Sequence, residues 1–359
     1  MRSSSIVEAI KNGYSVTCIS PKDKYTNHLI RLGCKHHPIN FSSKTINPIS
    51  EFILVIKFFF AYLKIKPIAA FHFTVKNNIY GTIAAALLGI PAVNNISGLG
   101  TAFIKKSILS SLVLFLYRIS QYHAFKIFCQ NEEDVKFLVE NKAIHPDKII
   151  LIPGSGVDTN RFHPRLREEH KPSFFQKKEF TFLYAGRMLY DKGLNELLDA
   201  FQAMSLNGSQ SKLELSGFLD ADNSSAVSEK QIQSWLKIPN VVWHGHSDNI
   251  ETIMSRVDCV VLPSYREGMP KTLLEAGSIG LPVIATDVPG CKNIIIDGFN
   301  GYLCKPYSSH SLQQSMEKMS QLDKNELKIM GNNARSIVLK RFDESIVIKK
   351  FFKVLDQLQ

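Results

Sequence analysis

Apolar stretches with strand character alternate with stretches of helical periodicity along almost the whole chain. Alternation of this kind is typical of parallel sheets that are covered by helices on both faces. The segments predicted as strands are residues 14–20, 35–41, 67–73, 91–97, 124–130 and 148–154 in the first half, and residues 180–186, 212–218, 240–246, 259–264 and 282–288 in the second. The pattern therefore predicts an α/β fold with two doubly wound, Rossmann-like domains.

The alternation is interrupted by a polar, lysine-rich stretch at residues 163–179. Such a composition is typical of a linker, and a chain of 359 residues is longer than one hydrophobic core usually organises. We therefore predict an N-terminal domain at 1–165 and a C-terminal domain at 166–340. The amphipathic end of the chain, 341–359, is expected to form a helix that packs back on the first domain.

The chain opens on a helical pattern, SSIVEAIKNG, rather than on the strand and glycine-rich turn with which nucleotide-binding domains usually begin. Two explanations stay open: the true start lies upstream, or the first sheet is built without its usual first strand. We expect an N-terminal domain whose first strand is missing from this sequence.

The composition points to an anionic partner. The formal net charge is +11, and such an excess attracts nucleic acid, anionic membranes or phosphorylated ligands. No zinc-finger or helix-turn-helix pattern stands out and the basic residues are dispersed, so no nucleic-acid partner is expected. Two apolar segments that carry basic residues, 52–66 and 107–126, predict either buried core helices or helices that lie on a membrane surface.

The cysteines and the N-terminus indicate the compartment. The six cysteines are scattered without a C-x-x-C pair, which is typical of a reduced, cytosolic protein without structural zinc. The N-terminal residues lack the apolar core of a signal sequence, and no run approaches the roughly 18 apolar residues that a membrane span needs. We predict a cytoplasmic protein that does not cross a membrane.

The segment SYREGMPKTLLEAGSIGLPVIATDVPG joins a predicted strand, a turn and a helix. The amides near Gly268 and Met269 precede the helix, and the macrodipole at a helix N-terminus favours phosphate. Glu267 and Glu275 are poor phosphate ligands, so their useful role is to accept hydrogen bonds from sugar and ribose hydroxyls. The pairing predicts a nucleotide-sugar site, with a helix-start carboxylate and a solvated helix residue as the alternative.

The segment YAGRMLYDKG places polar groups at the carboxyl end of another predicted strand. In open α/β sheets ligands bind at that edge. Gly186 ends the strand, Arg187 can grip phosphate oxygens in a bidentate fork, and Lys192 supplies a mobile charge. Together these residues would stabilise a departing diphosphate, whereas ordinary surface cations at a strand end are the alternative.

The two motifs together resemble glycosyltransferase family four, and the resemblance covers almost the whole chain. It implies the GT-B fold, in which two Rossmann-like domains face a cleft. It also implies that a sugar is transferred from a nucleotide diphosphate with retention of configuration, without a metal ion or other cofactor.

The resemblance also implies roles for individual residues. Arg187 and Lys192 hold the donor diphosphate, Glu267 contacts the donor sugar, and Glu275 binds the ribose. The glycine-containing loop SGF, with Gly217, and the region VVWHGH correspond to the loop and base-binding region of the donor site, and PSYREGMP matches the family's approach to the helix.

The first half is similar to a bacterial subset that extends undecaprenyl-diphosphate-linked sugars. The similar segments are HFTVKNNIYGTIAAALLGIPAVNNISGLG and the later PGSGVDTNRFHP. Several members add N-acetylgalactosamine in α-1,3 linkage, which implies a UDP-sugar donor, a lipid-linked acceptor and attachment to the anionic inner face of the plasma membrane. His72 ends a predicted strand. Gly98 lies in the stretch NNISGLG, where many relatives carry a histidine after a strand, so a histidine base at that point is not available. Both are predicted on the acceptor side, although a strand-end histidine is often structural.

Proteins with other functions would have the same sequence features. A nucleotide-sugar 2-epimerase or a glycogen-synthase-like transferase would have the same architecture, and a catalytically silent scaffold for polysaccharide assembly would fit the missing acceptor-side features. The four donor residues favour an enzyme, and a lipid-linked acceptor would separate the proposed transferase from the other enzymes.

Overall fold

The computed structural model describes residues 3–41, 47–98, 108–169, 179–220, 223 and 225–358. It divides into two compact units, unit 1 (Met1–Ser155 and Glu344–Gln359) and unit 2 (Gly156–Asp343). The division therefore precedes the lysine-rich stretch, whereas the sequence predicted it at residue 165. The reason is local packing: Val157 is fully buried in the core of unit 2.

Helices and strands alternate along most of the described chain. The α-helices are α1 (Ser3–Lys11), α2 (Thr26–Arg31), α3 (Pro48–Ile65), α4 (Thr82–Leu87), α5 (Ile108–Tyr122), α6 (Glu132–Glu140), α7 (Arg165–Glu169), α8 (Leu194–Leu206), α9 (Glu229–Trp235), α10 (Ile250–Met254), α11 (Lys271–Ile279), α12 (Ser309–Ser320), α13 (Lys324–Arg341) and α14 (Glu344–Leu355). The strands are β1 (Thr17–Ser20), β2 (Lys35–Pro38), β3 (Ala70–His72), β4 (Ala92–Ile96), β5 (Ala124–Cys129), β6 (Ile149–Leu151), β7 (Thr181–Ala185), β8 (Lys212–Ser216), β9 (Val241–Trp243), β10 (Cys259–Leu262), β11 (Val283–Thr286) and β12 (Gly301–Cys304).

In unit 1 all described strand pairs are parallel. Strands β1 and β2 form one pair, and β3, β4, β5 and β6 form a four-stranded sheet in sequence order. A π-helical turn, Asn77–Gly81, leads from β3 into α4. Its layer also contains α3 and α5, since both helices contact this turn and α4.

The C-terminal helix α14 belongs to unit 1. Its buried residues Val347, Phe351 and Val354 share a core cluster with residues of β4 and β5. The ring of Phe351 stacks on that of Phe128 with centroids 4.5 Å apart. The predicted C-terminal segment began at residue 341, whereas residues 341–343 belong to unit 2 and only the segment from Glu344 onward belongs to unit 1.

Unit 2 contains a six-stranded parallel sheet in the order β12-β11-β10-β7-β8-β9. All residues of β7, β10 and β11 are buried, because helices cover both faces of the sheet. The strand order reverses between β7 and β10, so the connections after these two strands leave in opposite directions. That point of an open α/β sheet is where a crevice forms beyond the strand ends.

No helix in the described ranges is both long and apolar enough to span a membrane.

Candidate functional site

The switch point of the unit 2 sheet brings the two sequence motifs to one edge. Gly186 and Arg187 directly follow β7, and Glu267 lies in the turn that follows β10. Strands β7 and β10 are hydrogen-bonded neighbours. Segments that lie far apart in sequence therefore meet at the carboxyl ends of adjacent strands.

Lys192 and Glu267 form an ion pair at this edge. The Nζ of Lys192 lies 2.6 Å from Oε1 of Glu267, and the two side chains are only 17% and 14% exposed. Gly193, which follows the lysine, has φ +71, and a Cβ there would lie 2.0 Å from the carbonyl oxygen of Pro263. The missing side chain is what lets the Lys192 turn approach the end of β10 closely enough to form the pair.

Arg187 extends from the neighbouring turn. Its side chain is 47% exposed, and Nη1 lies 3.6 Å from Oδ2 of Asp220 in the loop after β8. The hydroxyl of Tyr184 donates a hydrogen bond to the backbone carbonyl of Arg187 at 2.7 Å. The backbone is thus held from inside the unit, while the guanidinium remains accessible to an anion.

The predicted glycines have a packing role at this edge. The N–H of Gly186 donates to the carbonyl of Ser216, and a Cβ on Gly217 would lie 1.7 Å from the carbonyl oxygen of Gly186. The N–H of Gly217 donates to Gly245, and its carbonyl accepts a hydrogen bond from the indole of Trp243. Both backbone groups of Gly217 are therefore used within the unit, so this residue serves the edge by its small size.

Helix α11 begins beside the same edge. Pro270 is its N-cap residue, and Gly268 and Met269 lie in the turn before it. The backbone N–H groups of a first helical turn have no partners within the helix, and they form the positive end of the helix dipole. Gly290, with φ +85, packs on this turn, since a Cβ there would lie 2.5 Å from the carbonyl oxygen of Gly268.

Glu275 lies within α11 and is buried, which excludes the alternative that it is a solvated helix residue. Burial raises the pKa of its carboxyl, and the ammonium of Lys271, 3.4 Å away, opposes that rise. A buried carboxylate with one ion-pair partner on its own helix can still accept hydrogen bonds from hydroxyl groups.

His72, predicted on the acceptor side, is buried in unit 1. The hydroxyl of Tyr62 lies 2.8 Å from Nε2, and Oδ1 of Asn94 lies 2.7 Å from Nδ1. These contacts fit a neutral ring that accepts from Tyr62 and donates to Asn94. Burial lowers the pKa of His72 to about 4, so the ring stays uncharged and its two nitrogens are used inside the unit.

Gly98, the other predicted acceptor-side residue, follows β4 with φ +131. Residues 99–107, which complete the NNISGLG motif and begin the apolar segment 107–126, lie outside the described residues.

Sequence reasoning missed the residues that support the site. Tyr184, whose hydroxyl bonds to the carbonyl of Arg187, lies in the uninterrupted apolar strand TFLYA. Thr272 lies in the first turn of α11, and its hydroxyl donates to the carbonyl of Ala185 at 3.0 Å. Neither contact leaves a signal in the spacing of the motifs. In the described part of the chain, no group of three or more His, Cys, Asp or Glu side chains is arranged to hold a metal ion.

Solved structures share this architecture over nearly the full length. A glycosyltransferase from Rickettsia africae superposes with a TM-score of 0.79 at 18% identity, covering 99% of this chain and 94% of that one. Anabaena HepE in complex with UDP-glucose superposes with a TM-score of 0.78 at 17% identity, covering 99% and 96%. The two parallel α/β units define the GT-B fold, as the sequence predicted.

Two family descriptions match the chain. "Glycosyl transferases group 1" matches residues 166–337, and "Glycosyl transferase 4-like" matches residues 3–131. The two matches together span most of the chain, which therefore belongs to the glycosyltransferases and is a transferase enzyme.

Curated relatives are similar over most of their length. The N,N'-diacetylbacillosaminyl-diphospho-undecaprenol alpha-1,3-N-acetylgalactosaminyltransferase of Campylobacter jejuni is 27% identical, with 98% of this chain and 94% of that protein covered. The UDP-Gal:alpha-D-GlcNAc-diphosphoundecaprenol alpha-1,3-galactosyltransferase of Escherichia coli is 25% identical, with 78% and 72% covered.

Proposed function

We propose that the chain is a retaining glycosyltransferase that moves a sugar from a UDP-sugar to an undecaprenyl-diphosphate-linked saccharide in polysaccharide assembly, such as that of O-antigen or capsule. The observation that carries the proposal is the group of Arg187, Lys192 and Glu267 at the switch point of unit 2. Similarity to transferases named for lipid-linked acceptors supports the acceptor class. N-acetylgalactosamine, or another hexose or N-acetylhexosamine, is the proposed transferred sugar.

The proposed site places positive charge where the leaving diphosphate gains negative charge during the reaction. As the bond between C1 and the diphosphate oxygen breaks, Arg187, Lys192 and the N-terminus of α11 stabilise the negative charge on the leaving group. The acceptor hydroxyl forms the new bond to C1 on the same face, and its proton passes to the departing phosphate oxygen. These cations supply the positive charge that a metal would otherwise provide, so we propose transfer without a metal ion.

The carboxylates orient the donor. Glu267 is held by Lys192 at 2.6 Å and has a second oxygen with which to accept a hydrogen bond from a sugar hydroxyl. Glu275 lies about one turn into α11 and is proposed to accept hydrogen bonds from the ribose. The two glutamates are therefore proposed to contact the donor on either side of its diphosphate, which the cations bind.

The direct test is transfer by the purified protein from a panel of UDP-sugars to undecaprenyl-diphosphate-N-acetylhexosamine, with EDTA present. Transfer from one donor is expected, with the product retaining the anomeric configuration of the donor. Arg187→Ala is expected to lower turnover by about 100-fold. An Arg187→Ala variant with near-normal turnover would contradict the site, and release of a free epimerised sugar without transfer would favour an epimerase.

We also propose that unit 1 attaches to the anionic inner face of the plasma membrane, with the bulk of the chain in the cytoplasm. Helix α3 has two apolar faces: one packs inward through residues such as Leu54 and Phe58, and the other is exposed. The exposed large side chains recur at helical spacing and are Ile49, Phe52, Ile53, Ile56, Phe60 and Leu63. A solvated helix would not place its apolar residues on the outward face.

Helix α5 has a second exposed apolar stripe, formed by Leu112, Phe115, Ile119 and Tyr122. Both helices lie in the layer that contains the π-helical turn and α4. Lysines 57, 64 and 66 accompany the α3 stripe, and each cation near an anionic surface contributes about 1 kcal/mol. The apolar side chains and these cations together favour a bilayer rather than a protein partner.

Flotation with vesicles tests the attachment. Phe52→Glu/Phe60→Glu is expected to lose binding to vesicles that contain phosphatidylglycerol, while Leu206→Glu, at an even more exposed apolar residue of unit 2, is expected to retain it. Binding should be weaker to phosphatidylcholine alone and at high salt. Equal binding by the double variant and the wild type would contradict this surface.

A further inference from the structure

A phenol is buried directly beneath the proposed donor site. Tyr184 is fully buried, and its hydroxyl donates to the carbonyl oxygen of Arg187 at 2.7 Å. Gly186 lies between them in the chain, and a Cβ there would lie 2.8 Å from the Tyr184 hydroxyl. The glycine therefore allows the chain to turn back over the phenol, and the hydrogen bond fixes the turn from which the Arg187 side chain extends.

A second hydroxyl holds the same segment from another element. Thr272, in the first turn of α11, donates to the carbonyl oxygen of Ala185 at 3.0 Å. The N–H of Gly186 donates to the carbonyl of Ser216 at 2.9 Å. The three consecutive residues 185–187 are thus each held by a hydrogen bond, and the Thr272 bond joins the end of β7 to the N-terminus of α11.

We infer that Tyr184 and Thr272 are positioning residues for transfer, which act by fixing Arg187 relative to the N-terminus of α11. The inference rests on the proposed function, because it assigns the diphosphate to these two groups. Two sources of positive charge bind one diphosphate productively only if their separation is set before the ligand arrives, and preorganisation of this kind underlies electrostatic catalysis.

Tyr184 has no direct part in the chemistry. Burial raises the pKa of its hydroxyl well above the usual value, with the charges of Glu267 and Asp191 adding to the rise and Arg187 opposing it. The phenol therefore stays protonated and keeps the hydrogen that it donates to the carbonyl of Arg187.

Two matched substitutions remove one hydroxyl each with little change in volume. Tyr184→Phe keeps the buried ring, and Thr272→Val keeps the branched shape of the side chain. Each is expected to lower kcat by about 10-fold or more and to weaken binding of UDP, measured by calorimetry, by a similar factor. Thr272→Ser restores the hydroxyl and is expected to recover most of both. Ser205→Ala removes a hydroxyl that bonds within α8 and is expected to change neither.

A double-mutant cycle separates positioning from general loss of structure. If Tyr184 acts through Arg187, then Tyr184→Phe/Arg187→Ala should turn over no more slowly than Arg187→Ala alone. Thermal melts of all variants check that unit 2 is folded. Tyr184→Phe and Thr272→Val with wild-type kcat and UDP affinity would overturn the inference, as would losses that multiply in the double variant. If no donor supports transfer, the proposed function fails, and the UDP titrations and their double-mutant cycle still decide the inference.

Discussion

The ammonium of Lys192 lies 2.6 Å from a carboxylate oxygen of Glu267, and this ion pair joins the turn after β7 to the turn after β10. The pair sits at the switch point of the sheet and is mostly shielded from solvent. Removing one partner leaves the other charge in a site of low exposure, which is costly. The pair is therefore both a structural contact of the edge and the proposed contact with the donor.

Lys192→Met is expected to lower turnover by about 100-fold, because a preorganised cation is lost from the leaving group. It should also lower the free energy of unfolding of unit 2 by about 2 kcal/mol, since Glu267 loses its partner. Steady-state kinetics and urea unfolding followed by tryptophan fluorescence measure the two effects. Lys230→Met removes an exposed lysine from the same unit and should change neither. A Lys192→Met variant with normal kinetics would remove this lysine from the mechanism.

Glu275→Gln is expected to stabilise unit 2 at neutral pH and to weaken UDP binding. Burial raises the pKa of Glu275, so the folded state holds this proton more tightly than the unfolded state does. The stability of the wild type therefore falls, relative to the variant, as pH rises above about 4.5. Thermal melts between pH 4 and 7.5 should show a gap that opens with pH and reaches about 2 °C.

The same substitution is expected to lower the affinity for UDP, although it raises the stability. A carboxylate accepts hydrogen bonds from hydroxyls more strongly than an amide does, so Glu275→Gln should bind UDP about 10-fold more weakly. Glu229→Gln, at an exposed glutamate of α9, should match the wild type in both measurements. A variant that is less stable at pH 7.5 and binds UDP normally would contradict the assignment.

His72 is expected to make unit 1 sensitive to acid. Its pKa falls from 6.5 to about 4 on folding, because burial disfavours the charged ring. The unfolded state binds the proton first, so stability is complete above about pH 6.5 and is lost as pH falls towards 4, by about 3 kcal/mol in all.

Both tryptophans, Trp235 and Trp243, lie in unit 2, so circular dichroism is needed to follow unit 1 in urea. His72→Gln should lose the part of the pH dependence that lies between 6.5 and 4, although the variant starts from a lower stability. His310→Gln, at an exposed histidine, should keep that dependence. Identical pH profiles for the wild type and His72→Gln would show that the ring titrates as it does in the unfolded chain.

Gly217→Ala is expected to disturb the donor edge without adding a charge or removing a hydrogen bond. The new Cβ would lie 1.7 Å from a backbone carbonyl oxygen, and backbone cannot move aside cheaply. A loss of about 3 kcal/mol in the free energy of unfolding is expected, at the upper end of overpacking effects. Gly208→Ala meets open space, although its φ of +87 adds backbone strain, so it should cost about 1 kcal/mol. Equal melting temperatures for the two variants would contradict the close contact.

The strand pattern was predictable because buried parallel strands appear as short apolar runs. Every predicted strand has a counterpart, whereas β12 (Gly301–Cys304) was not predicted. That strand begins with a glycine because a Cβ there would lie 2.2 Å from the carbonyl oxygen of Val283. A glycine in a short run weakens the strand signal, and the need for it arises only from the neighbouring strand.

The motif residues were visible in the sequence, but their surroundings were not. Arg187, Lys192 and Glu267 stand out as charges beside glycines at strand ends. The burial of Glu275 was hidden because all residues from Leu273 to Ile279 are buried, so α11 has no polar face to mark its orientation. The contact of Tyr184 with Arg187 depends on a turn of the backbone, which residue types do not reveal.

The domain boundary was misplaced for a similar reason. Composition marks residues 163–179 as a linker, but the segment before it is tied to the end of unit 2. Val157 forms a parallel β-bridge with Asp343, and the hydroxyl of Thr159 donates to the carboxylate of Asp343 at 2.6 Å. Pairing between residues so far apart in sequence leaves no local pattern.

That bridge also gives the chain a modular design. Unit 2 is one uninterrupted segment, Gly156–Asp343, inserted between two parts of unit 1, and its two ends are fastened side by side. A segment whose two ends adjoin in the fold can be replaced as a cassette, because both junctions lie side by side in the structure and the order of the remaining elements does not change. Recombination between relatives could therefore exchange the proposed donor-binding residues as a block while leaving the helices α3, α5 and α14 of unit 1 unchanged.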